Sequence, residues 1–504
     1  MREQMSLMSV IYGRATKVIG WLGLPNDDSA FAFDVLRLYS TFGPEDQSMP
    51  NQIKRHSLTM EMANKGYFTD YESLTRFFGP FGRPARALES LLERDWFHRL
   101  WVVQEAALAC HLVLRCGSDE LTGDEFFTAV KIRGFEYLAD PPMPFLQAPY
   151  RNAYYIGLVR EAVCSGIDLP LAHLAHTFSR WNCTEAVEYL NSLFGLAYRH
   201  NRNDAIIAPS PASSPATFFK DFAVQSILTS SDLGILHFAG FSEVLIDGDE
   251  IKIRLQDLTG DMPSWAADWR LKSRPVHSLR LTGDLRPYNC TTSKAHFRFI
   301  GDEHHPNSPA LLEVSAVKID SIEHLCPVYL PSFGEYGSPS FAQWVSLWYT
   351  EVQKHLPCHG VDEAFSSNLI MEGRMSLIEQ PDLTISPDQA VSCFERLKTR
   401  HFKNFTEPSG DDIEAAFEDA LGFVAYAEEV CRYRSLFITQ KGRLGLGSAH
   451  VPIGSSIYAI HGLKTPFVVD ERSENNILRG ECYLDGVMDL GLSISPEDVQ
   501  LTLA

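Results

Sequence analysis

A lone Gln-Glu pair, Gln104 and Glu105, lies within the apolar part of the stretch "RDWFHRLWVVQEAALAC", which runs from Arg94 to Cys110. If Asp95 caps one continuous helix here, all neighbours of Glu105 at helical spacing are uncharged. Those neighbours are Trp101, Val102, Leu108 and Ala109. A carboxylate so placed either reaches solvent or is held in an apolar cleft, where it can do acid–base or cation-stabilising chemistry. From the spacing alone, a solvated helix residue is favoured over a site residue.

Histidine-rich clusters occur at three other places. They are "HLAH" with His173 and His176, "DEHHPN" at 302–307 and "HLPCHG" at 355–360. None has the number and spacing of ligands that a zinc site requires, so no metal site is predicted. The first pair is interpreted as structural and the "DEHHPN" segment as a surface loop.

The glycine-rich "GRLGLGSAH", residues 442–450, looks like a nucleotide-binding loop only superficially. Such a loop lies between a strand and a helix N-terminus, whose amides face the phosphates. Here the strand-like "VPIGSSIYAIHG" follows, which favours a β-hairpin. Similarly, "DMPSWAADWR" at 261–270 carries two tryptophans four residues apart and is interpreted as a packing element.

The composition is that of a globular protein with an acidic surface. The 504 residues carry a formal net charge of -20, which argues against a broad grip on duplex nucleic acid and against a polybasic membrane anchor. No apolar run is long enough to span a bilayer, and the N-terminus is no secretory signal. The 10 cysteines form no C-x-x-C pair, which is typical of reduced thiols. We therefore expect a cytoplasmic protein that binds neither nucleic acid nor membrane.

Hydrophobic periodicity divides the chain into five segments. In residues 1–130 helices alternate with strands, which is typical of a parallel α/β unit. The predictions there include a short buried strand at "KVIGWLG" and a helix at "TGDEFFTAVKIRG" that is capped by Thr122. The other four are a mainly helical region at 131–232 with a Pro/Ser-rich loop near 205–216, a β-rich region at 233–330, a mainly helical region at 331–432 and a β-rich C-terminal module at 433–504. Strands are predicted in the 233–330 region at "GILHFAGF", "IKIRL", "SLRLTGD", "HFRFIGD" and "LLEVSAVKID". The predicted fold class is therefore α/β at the N-terminus, followed by a mixed α+β region with a β-rich C-terminal module.

Five segments, in order and over nearly the whole chain, resemble the fungal heterokaryon incompatibility (HET) family. The stretch around Glu105 is similar to the family hallmark W-F-x-R-x-W-x-x-Q-E. The other four are "REQMSLMSVIYGRATKVIGWLG", "EAVEYLNSLFGLA", "MPSWAADW" and "GRLGLGSAHVPIGSSIYAIHGLKTPFVV" with "GECYLDGVMD". They are similar to the family's E-R-x-x-Q-V helix and strand, its D-P-R-D-K-V-Y-A-L-L-G-L-A segment, its L-P-S-W-V-P-D-W element and its C-terminal glycine-rich elements.

The resemblance implies a role in non-self recognition and regulated cell death, with self-association or HET-family proteins as partners. HET domains are thought to be related to TIR domains, whose W-C-x-x-E glutamate serves NAD hydrolysis, and "LWVVQE" is similar to that signature. The resemblance therefore makes Glu105 the candidate catalytic residue, with Trp96, Arg99, Trp101 and Gln104 as supporting signature residues. It implies NAD as a substrate and no other cofactor.

Departures from the family pattern keep a second interpretation open. The family's opening strand-rich portion with W-I-D-A-x-C-I-N-Q is not found, since the chain starts within the E-R-x-x-Q-V helix. The usual Arg-Asp pair is Val187 and Glu188, and the closing Gly-Glu pair is Leu490 and Gly491. We expect an N-terminal TIR- or flavodoxin-like HET unit that lacks its opening part. The chain is then either an NAD-cleaving protein or a catalytically inactive regulatory or interaction protein of the same family.

Overall fold

The computed structural model describes most of the chain, which divides into two compact units, Met1–Arg202 and Asn203–Ala504. The described residues are 2–41, 60, 63–64, 83–131, 148–197, 214–240, 242–247, 250–255, 262–271, 288–302, 305–330, 341–356, 361–371, 386–401, 423, 426–449, 451–472, 476–495 and 498–504. The finer division into five segments stays a prediction.

The first unit packs helices around a small sheet. Its described helices are α1 (Arg2–Arg14), α2 (Ser29–Ser40), α3 (Arg83–Leu92), α4 (Val102–Leu108), α5 (Gly123–Lys131), α6 (Ala148–Cys164), α7 (Leu171–Thr177) and α8 (Glu188–Ala197). Its described strands are β1 (Val18–Trp21), β2 (Leu112–Cys116) and β3 (Asp119–Thr122). Strands β1 and β2 are parallel, as an α/β unit requires, and β3 adds an antiparallel neighbour to β2. The described sheet is therefore mixed.

The start of α5 follows directly from its sequence. Thr122 was predicted to cap this helix, and its hydroxyl accepts a hydrogen bond from the Glu125 amide at 3.2 Å. The Glu125 carboxylate in turn accepts from the Thr122 amide at 2.9 Å. This reciprocal capping box satisfies two amides that have no partner inside the helix. The predicted cap is confirmed.

The prediction of one continuous helix through the Trp96–Glu105 stretch is wrong, because two separate helices are present. A short 3₁₀ helix spans Asp95–His98, Arg99 is extended, and α4 starts only at Val102. The Leu100 amide donates to the Asn182 carbonyl at 3.0 Å, and the Asn182 amide donates to the His98 carbonyl at 2.7 Å. Because these backbone groups bond across to Asn182, they cannot form helical bonds within the stretch. Asp95 caps no α-helix, and Trp96 lies outside the helix that carries Glu105.

The second unit is built on antiparallel strands. The described strands are β4 (Ser242–Asp247), β5 (Glu250–Leu255), β6 (Phe297–Asp302), β7 (His305–Leu325), β8 (Arg434–Thr439), β9 (Leu444–Ser448), β10 (Ser456–Ile460), β11 (Phe467–Asp470), β12 (Ile477–Glu481), β13 (Tyr483–Leu484) and β14 (Val499–Leu503). The described helices are α9 (Pro215–Ser230), α10 (Phe341–His355), α11 (Val361–Ile370) and α12 (Pro387–His401). Nine of the strands form one sheet, and β4 pairs only with β5.

The nine-stranded sheet closes on itself. Its strand order is β12-β11-β10-β7-β8-β9-β13, with β6 and β14 added on the long strand β7. Strands β12 and β13 are consecutive in the chain, separated only by Cys482, so the order begins and ends at one segment. Gly480 has a φ of +95°, a conformation that glycine adopts without strain, and it lies where this segment changes partner. The Ser448 hydroxyl of β9 also donates to the Arg479 carbonyl of β12 at 2.6 Å.

Strands β8, β9, β10 and β12 of the sheet are buried at every position, which explains why they are largely apolar without alternation. One face encloses a core that includes Ile322, Phe437, Ile457, Val468 and Leu484. The opposite face packs against helices α10–α12. Its core includes Leu436, Ile438, Trp348, Phe365 and Phe394.

A cluster of buried polar side chains lies within this unit. His237 Nδ1 is 2.6 Å from Glu481 Oε2, to which Thr465 Oγ1 donates at 3.3 Å. Arg434 Nη2 is 3.9 Å from Glu481 Oε1, and Arg434 Nη1 donates to the Val430 carbonyl at 2.6 Å. Burial lowers the pKa of the Arg434 guanidinium, and the charge of Glu481 acts in the opposite direction. A buried charge needs such partners because desolvation would otherwise neutralise it.

Several predictions for the second unit can be compared with the structure. "IKIRL", "HFRFIGD" and "LLEVSAVKID" lie in β5, β6 and β7 as predicted, but "GILHFAGF" contains a 3₁₀ helix, Gly234–Phe238, instead of a strand. The predicted hairpin at "GRLGLGSAH" is confirmed by antiparallel β8 and β9, with Gly442 in the turn. Trp265 and Trp269 are fully buried, as expected for a packing element. "SLRLTGD" lies outside the described residues, as does most of the Pro/Ser-rich loop, whose end includes the α9 cap Ser214.

The Glu481 cluster generates a stability prediction. Glu481→Ala removes the buried carboxylate that contacts His237 and lies 3.9 Å from Arg434, so the unfolding free energy should fall by about 3–5 kcal/mol. Urea denaturation of the full chain measures this change. Glu313→Ala is the matched control, because Glu313 pairs at 3.0 Å with the exposed Arg298 on the same sheet. Equal losses for the two variants would contradict the importance of the buried cluster.

Candidate functional site

Among the described residues, the side chain of Glu105 forms one hydrogen bond, and this bond joins two helices. The Tyr12 hydroxyl of α1 donates to Glu105 Oε1 of α4 at 3.0 Å. Both side chains are half-buried, so the carboxylate is neither fully solvated nor sealed in the core. Burial, together with the negative charge of Glu105 and this hydrogen bond, raises the pKa of Tyr12 well above its ordinary value. The phenol therefore stays protonated at neutral pH and acts on the carboxylate as a donor.

Gln104, the preceding residue of α4, lies in the core. Its side chain is 1% exposed, and its amide oxygen has no hydrogen-bond partner in the structure. A Cβ added to Gly195 of α8 would lie 3.2 Å from Gln104 Nε2 and 2.4 Å from the Cβ of Ser9 in α1. Helices α1, α4 and α8 thus approach closely at this point, and only a glycine at position 195 leaves room for the contact.

Trp96 packs against the sheet and does not contact Glu105. A Cβ on Gly20 of β1 would be 3.0 Å from two atoms of the Trp96 indole and 2.6 Å from Leu114 Cδ2. The indole also makes an edge contact with Phe97, with ring centroids 5.0 Å apart. This signature tryptophan therefore fixes the 3₁₀ segment on β1.

Arg99 and Trp101 lie between these two packed regions. Arg99 is exposed, and its positive charge acts to lower the pKa of Tyr12, opposing the burial and carboxylate effects. Trp101 is half-buried at the N-cap of α4, and its carbonyl accepts from the Glu105 amide at 3.3 Å. Of the predicted site residues, Arg99 and Glu105 both shift the pKa of the Tyr12 hydroxyl, in opposite directions. Trp96 and Gln104 are instead buried in packed cores.

Arg160 of α6 terminates α4 and was not anticipated from the sequence. It is 7% exposed, and its Nη1 donates to the carbonyls of Ala106 and Ala109 at 2.8 and 2.7 Å. Its Nη2 donates to Asp124 at 3.1 Å. The last carbonyls of a helix have no internal partners and carry partial negative charge, so a guanidinium stabilises them strongly.

Arg94 anchors the other end of the stretch. Its Nη1 donates to the carbonyls of Leu22 and Leu24 at 2.6 and 2.7 Å, and its Nη2 donates to Ser29 Oγ at 3.0 Å. The arginine thereby ties the 3₁₀ segment to the loop between β1 and α2. Sequence reasoning also missed Tyr12, for which the available signal was the "IY" pair within the family-like segment of α1.

Neither a metal centre nor a membrane span is found in the described parts of the chain. No three His, Cys, Asp or Glu side chains come together there as ligands would, and no helix is long and apolar enough to cross a bilayer. His173 and His176 lie on α7, while parts of "DEHHPN" and "HLPCHG" fall outside the described residues. None of the nine described cysteines forms a disulfide.

The Arg160 cap predicts a local loss of stability. In Arg160→Met, the carbonyls of Ala106 and Ala109 lose charged donors in a buried place, at a cost of about 2–4 kcal/mol. Hydrogen–deuterium exchange of the α4 amides should become correspondingly faster. The control is Arg37→Met, since Arg37 donates to the Glu120 carbonyl at 2.9 Å from an exposed position. Unchanged α4 exchange in Arg160→Met would show that the helix end does not need its cap.

Comparison with known proteins relates the two ends of the chain to one group of proteins. The family model described as heterokaryon incompatibility protein (HET) matches residues 1–105, which include Tyr12 and end at Glu105. The Het-6 beta-barrel domain model matches residues 414–501, which include strands β8–β13. Neither the curated proteins nor the solved structures contain a match to the chain. With a HET match over residues 1–105 and a Het-6 barrel match that includes strands β8–β13, the chain is similar to heterokaryon incompatibility proteins at both ends.

Proposed function

We propose that this protein acts in fungal non-self recognition and regulated cell death by cleaving NAD at Glu105. The observation that carries the proposal is the state of this carboxylate. It is half-buried at the end of the HET match, with Oε1 held by Tyr12 and no described partner on Oε2. We further propose that the first unit is TIR- or flavodoxin-like, which the parallel β1–β2 pair and its flanking helices support.

The proposed reaction is hydrolysis of the bond between the nicotinamide nitrogen and C1′ of its ribose. The bonding electron pair leaves with nicotinamide, which becomes neutral, and the ribose becomes an oxocarbenium-like cation. Water adds to C1′ and its proton passes to solvent, which yields ADP-ribose. The Glu105 carboxylate would stabilise the developing positive charge, as carboxylates do in glycoside hydrolysis.

Arg99 supports NAD as the substrate class. NAD carries a positive nicotinamide and a negative pyrophosphate, so a site for it benefits from charges of both signs. Arg99 is exposed and acts electrostatically on Tyr12, the residue that binds Glu105. We propose that its guanidinium attracts the pyrophosphate, since planar guanidinium groups suit phosphate oxygens.

The enzymatic proposal is tested by following nicotinamide release from NAD with the purified full chain. Wild type should release nicotinamide, and Glu105→Gln should lower kcat by about 10²–10³-fold, the usual effect of losing one charge-stabilising group. Glu89→Gln is the matched control because Glu89 is also a half-buried helical glutamate in this unit. Equal rates for wild type and Glu105→Gln would make the catalytic assignment wrong. Expression of the same variants in a fungal host, scored for cell death, tests the cellular role.

A second candidate function is a non-catalytic one, in which the protein binds another copy of itself. It is favoured by one face of the β1–β2 pair. Ile19 and Trp21 point to this face and are 49% and 51% exposed, although parallel strands are normally covered on both faces. Exposed apolar side chains of this size mark contact surfaces, and a two-fold symmetric contact would bring Ile19 and Trp21 of one copy against the same face of another.

Self-association through this face predicts that the apparent mass of the purified chain rises with concentration. Trp21→Ser should weaken the association about tenfold or more, because a large aromatic side chain at an interface contributes strongly to binding. Sedimentation measures both. Ile453→Ser, which changes an exposed isoleucine of the second unit, should leave the mass unchanged. A wild-type chain that stays monomeric at every concentration would exclude this contact.

A further inference from the structure

Tyr12 has a role that the family-like signature around Glu105 does not assign. It lies on α1, 93 residues from Glu105 in sequence, and its hydroxyl contacts the carboxylate directly. Because its pKa is raised by burial and by the neighbouring carboxylate, the phenol does not act as a base at neutral pH. Its only contribution to chemistry at this site is to donate a hydrogen bond.

That hydrogen bond restricts the direction of the Glu105 carboxylate. The terminal torsion of a glutamate side chain is broad, so a half-buried carboxylate with no partner samples many orientations. A donor at 3.0 Å from Oε1 removes much of this freedom. It leaves Oε2 as the oxygen that can face another molecule.

The position of Tyr12 is set by helix packing and not by Glu105. Ser9 precedes Tyr12 by about one helical turn on α1, and it lies so close to Gly195 of α8 that a Cβ there would be 2.4 Å from the Ser9 Cβ. Gln104 of α4 lies at the same crossing. The packing of α1 against α8 therefore fixes the position of the Tyr12 hydroxyl. The hydroxyl in turn orients the Glu105 carboxylate through its hydrogen bond.

We propose that Tyr12 is a positioning residue, which holds Glu105 by Oε1 so that Oε2 faces the cation formed in the reaction. This inference rests on the proposed NAD cleavage. Tyr12 itself touches neither substrate nor reacting atoms. Its effect on the rate arises because a charge stabilises a transition state best when it is already oriented towards the place where opposite charge develops.

The test is nicotinamide release by Tyr12→Phe in the full chain, compared with wild type. The substitution keeps the ring and removes only the hydroxyl. We expect kcat to fall about tenfold or more with KM changed less than about twofold, because orientation matters in the transition state and not in ground-state binding. On a Glu105→Gln background, Tyr12→Phe should cause no further loss, since the two residues act as one unit.

Tyr150→Phe is the matched control. The Tyr150 hydroxyl of α6 donates to the Val130 carbonyl in the same unit, so this variant also loses one half-buried hydrogen bond. It should lose stability without losing kcat. Circular dichroism at the assay temperature checks that every variant is folded, and Tyr12→Met serves if Tyr12→Phe is not obtained folded.

The outcomes separate the two proposals. If Tyr12→Phe turns over like wild type, the positioning role is wrong while NAD cleavage stands. The same conclusion follows if Tyr150→Phe lowers kcat equally, or if Tyr12→Phe still lowers the rate of Glu105→Gln. If wild type releases no nicotinamide, the proposed function and the role of Tyr12 in it both fall.

Discussion

The geometry around Glu105 depends on how the protein satisfies the carbonyl end of one short helix. Helix α4 has seven residues, too few to be stable alone. Arg160 donates to its last carbonyls from α6, and the backbone bridge to Asn182 precedes its first turn. Since both ends are determined by distant segments, the helix has one position and Glu105 has one direction relative to α1.

The second unit follows the same physical rule on a larger scale. Strands β8, β9, β10 and β12 are buried on both faces, so polar groups on them must find partners inside the unit. Glu481 lies next to the segment where the strand order closes, and it is contacted by His237 and Thr465 and approached by Arg434. Three separate parts of the chain therefore meet at one carboxylate, which stabilises the closed arrangement only when all are in place.

Local sequence was sufficient to predict an element wherever the contacts that stabilise it join residues close together in the chain. The Thr122–Glu125 capping box, strand β1 and the β8–β9 hairpin were all predicted, because their hydrogen bonds connect residues a few positions apart or adjacent strands. It was insufficient for the Trp96–Glu105 stretch. There an apolar pattern with helical spacing is interrupted at Arg99, since backbone groups at 98 and 100 bond to Asn182.

The same limit applies to the candidate site. Spacing identified Glu105 as an unusual carboxylate but favoured solvent exposure, because none of its helical neighbours can pair with it. The actual partner, Tyr12, comes from α1 and could not be found from helical spacing around Glu105. Gly195 looked unremarkable in sequence, yet it allows α8 to meet α1 and α4.

The sequence by itself determined the composition of the elements, the antiparallel C-terminal strands and the identity of Glu105 as the carboxylate of a HET-like signature. Only the tertiary structure decided where α4 begins and ends, which oxygen of Glu105 is held and which side chains close the second unit. The physical reason is distance along the chain. Hydrogen bonds between neighbours follow from residue type and spacing, whereas the bonds from Tyr12, Arg160 and Asn182 exist only after packing brings distant segments together.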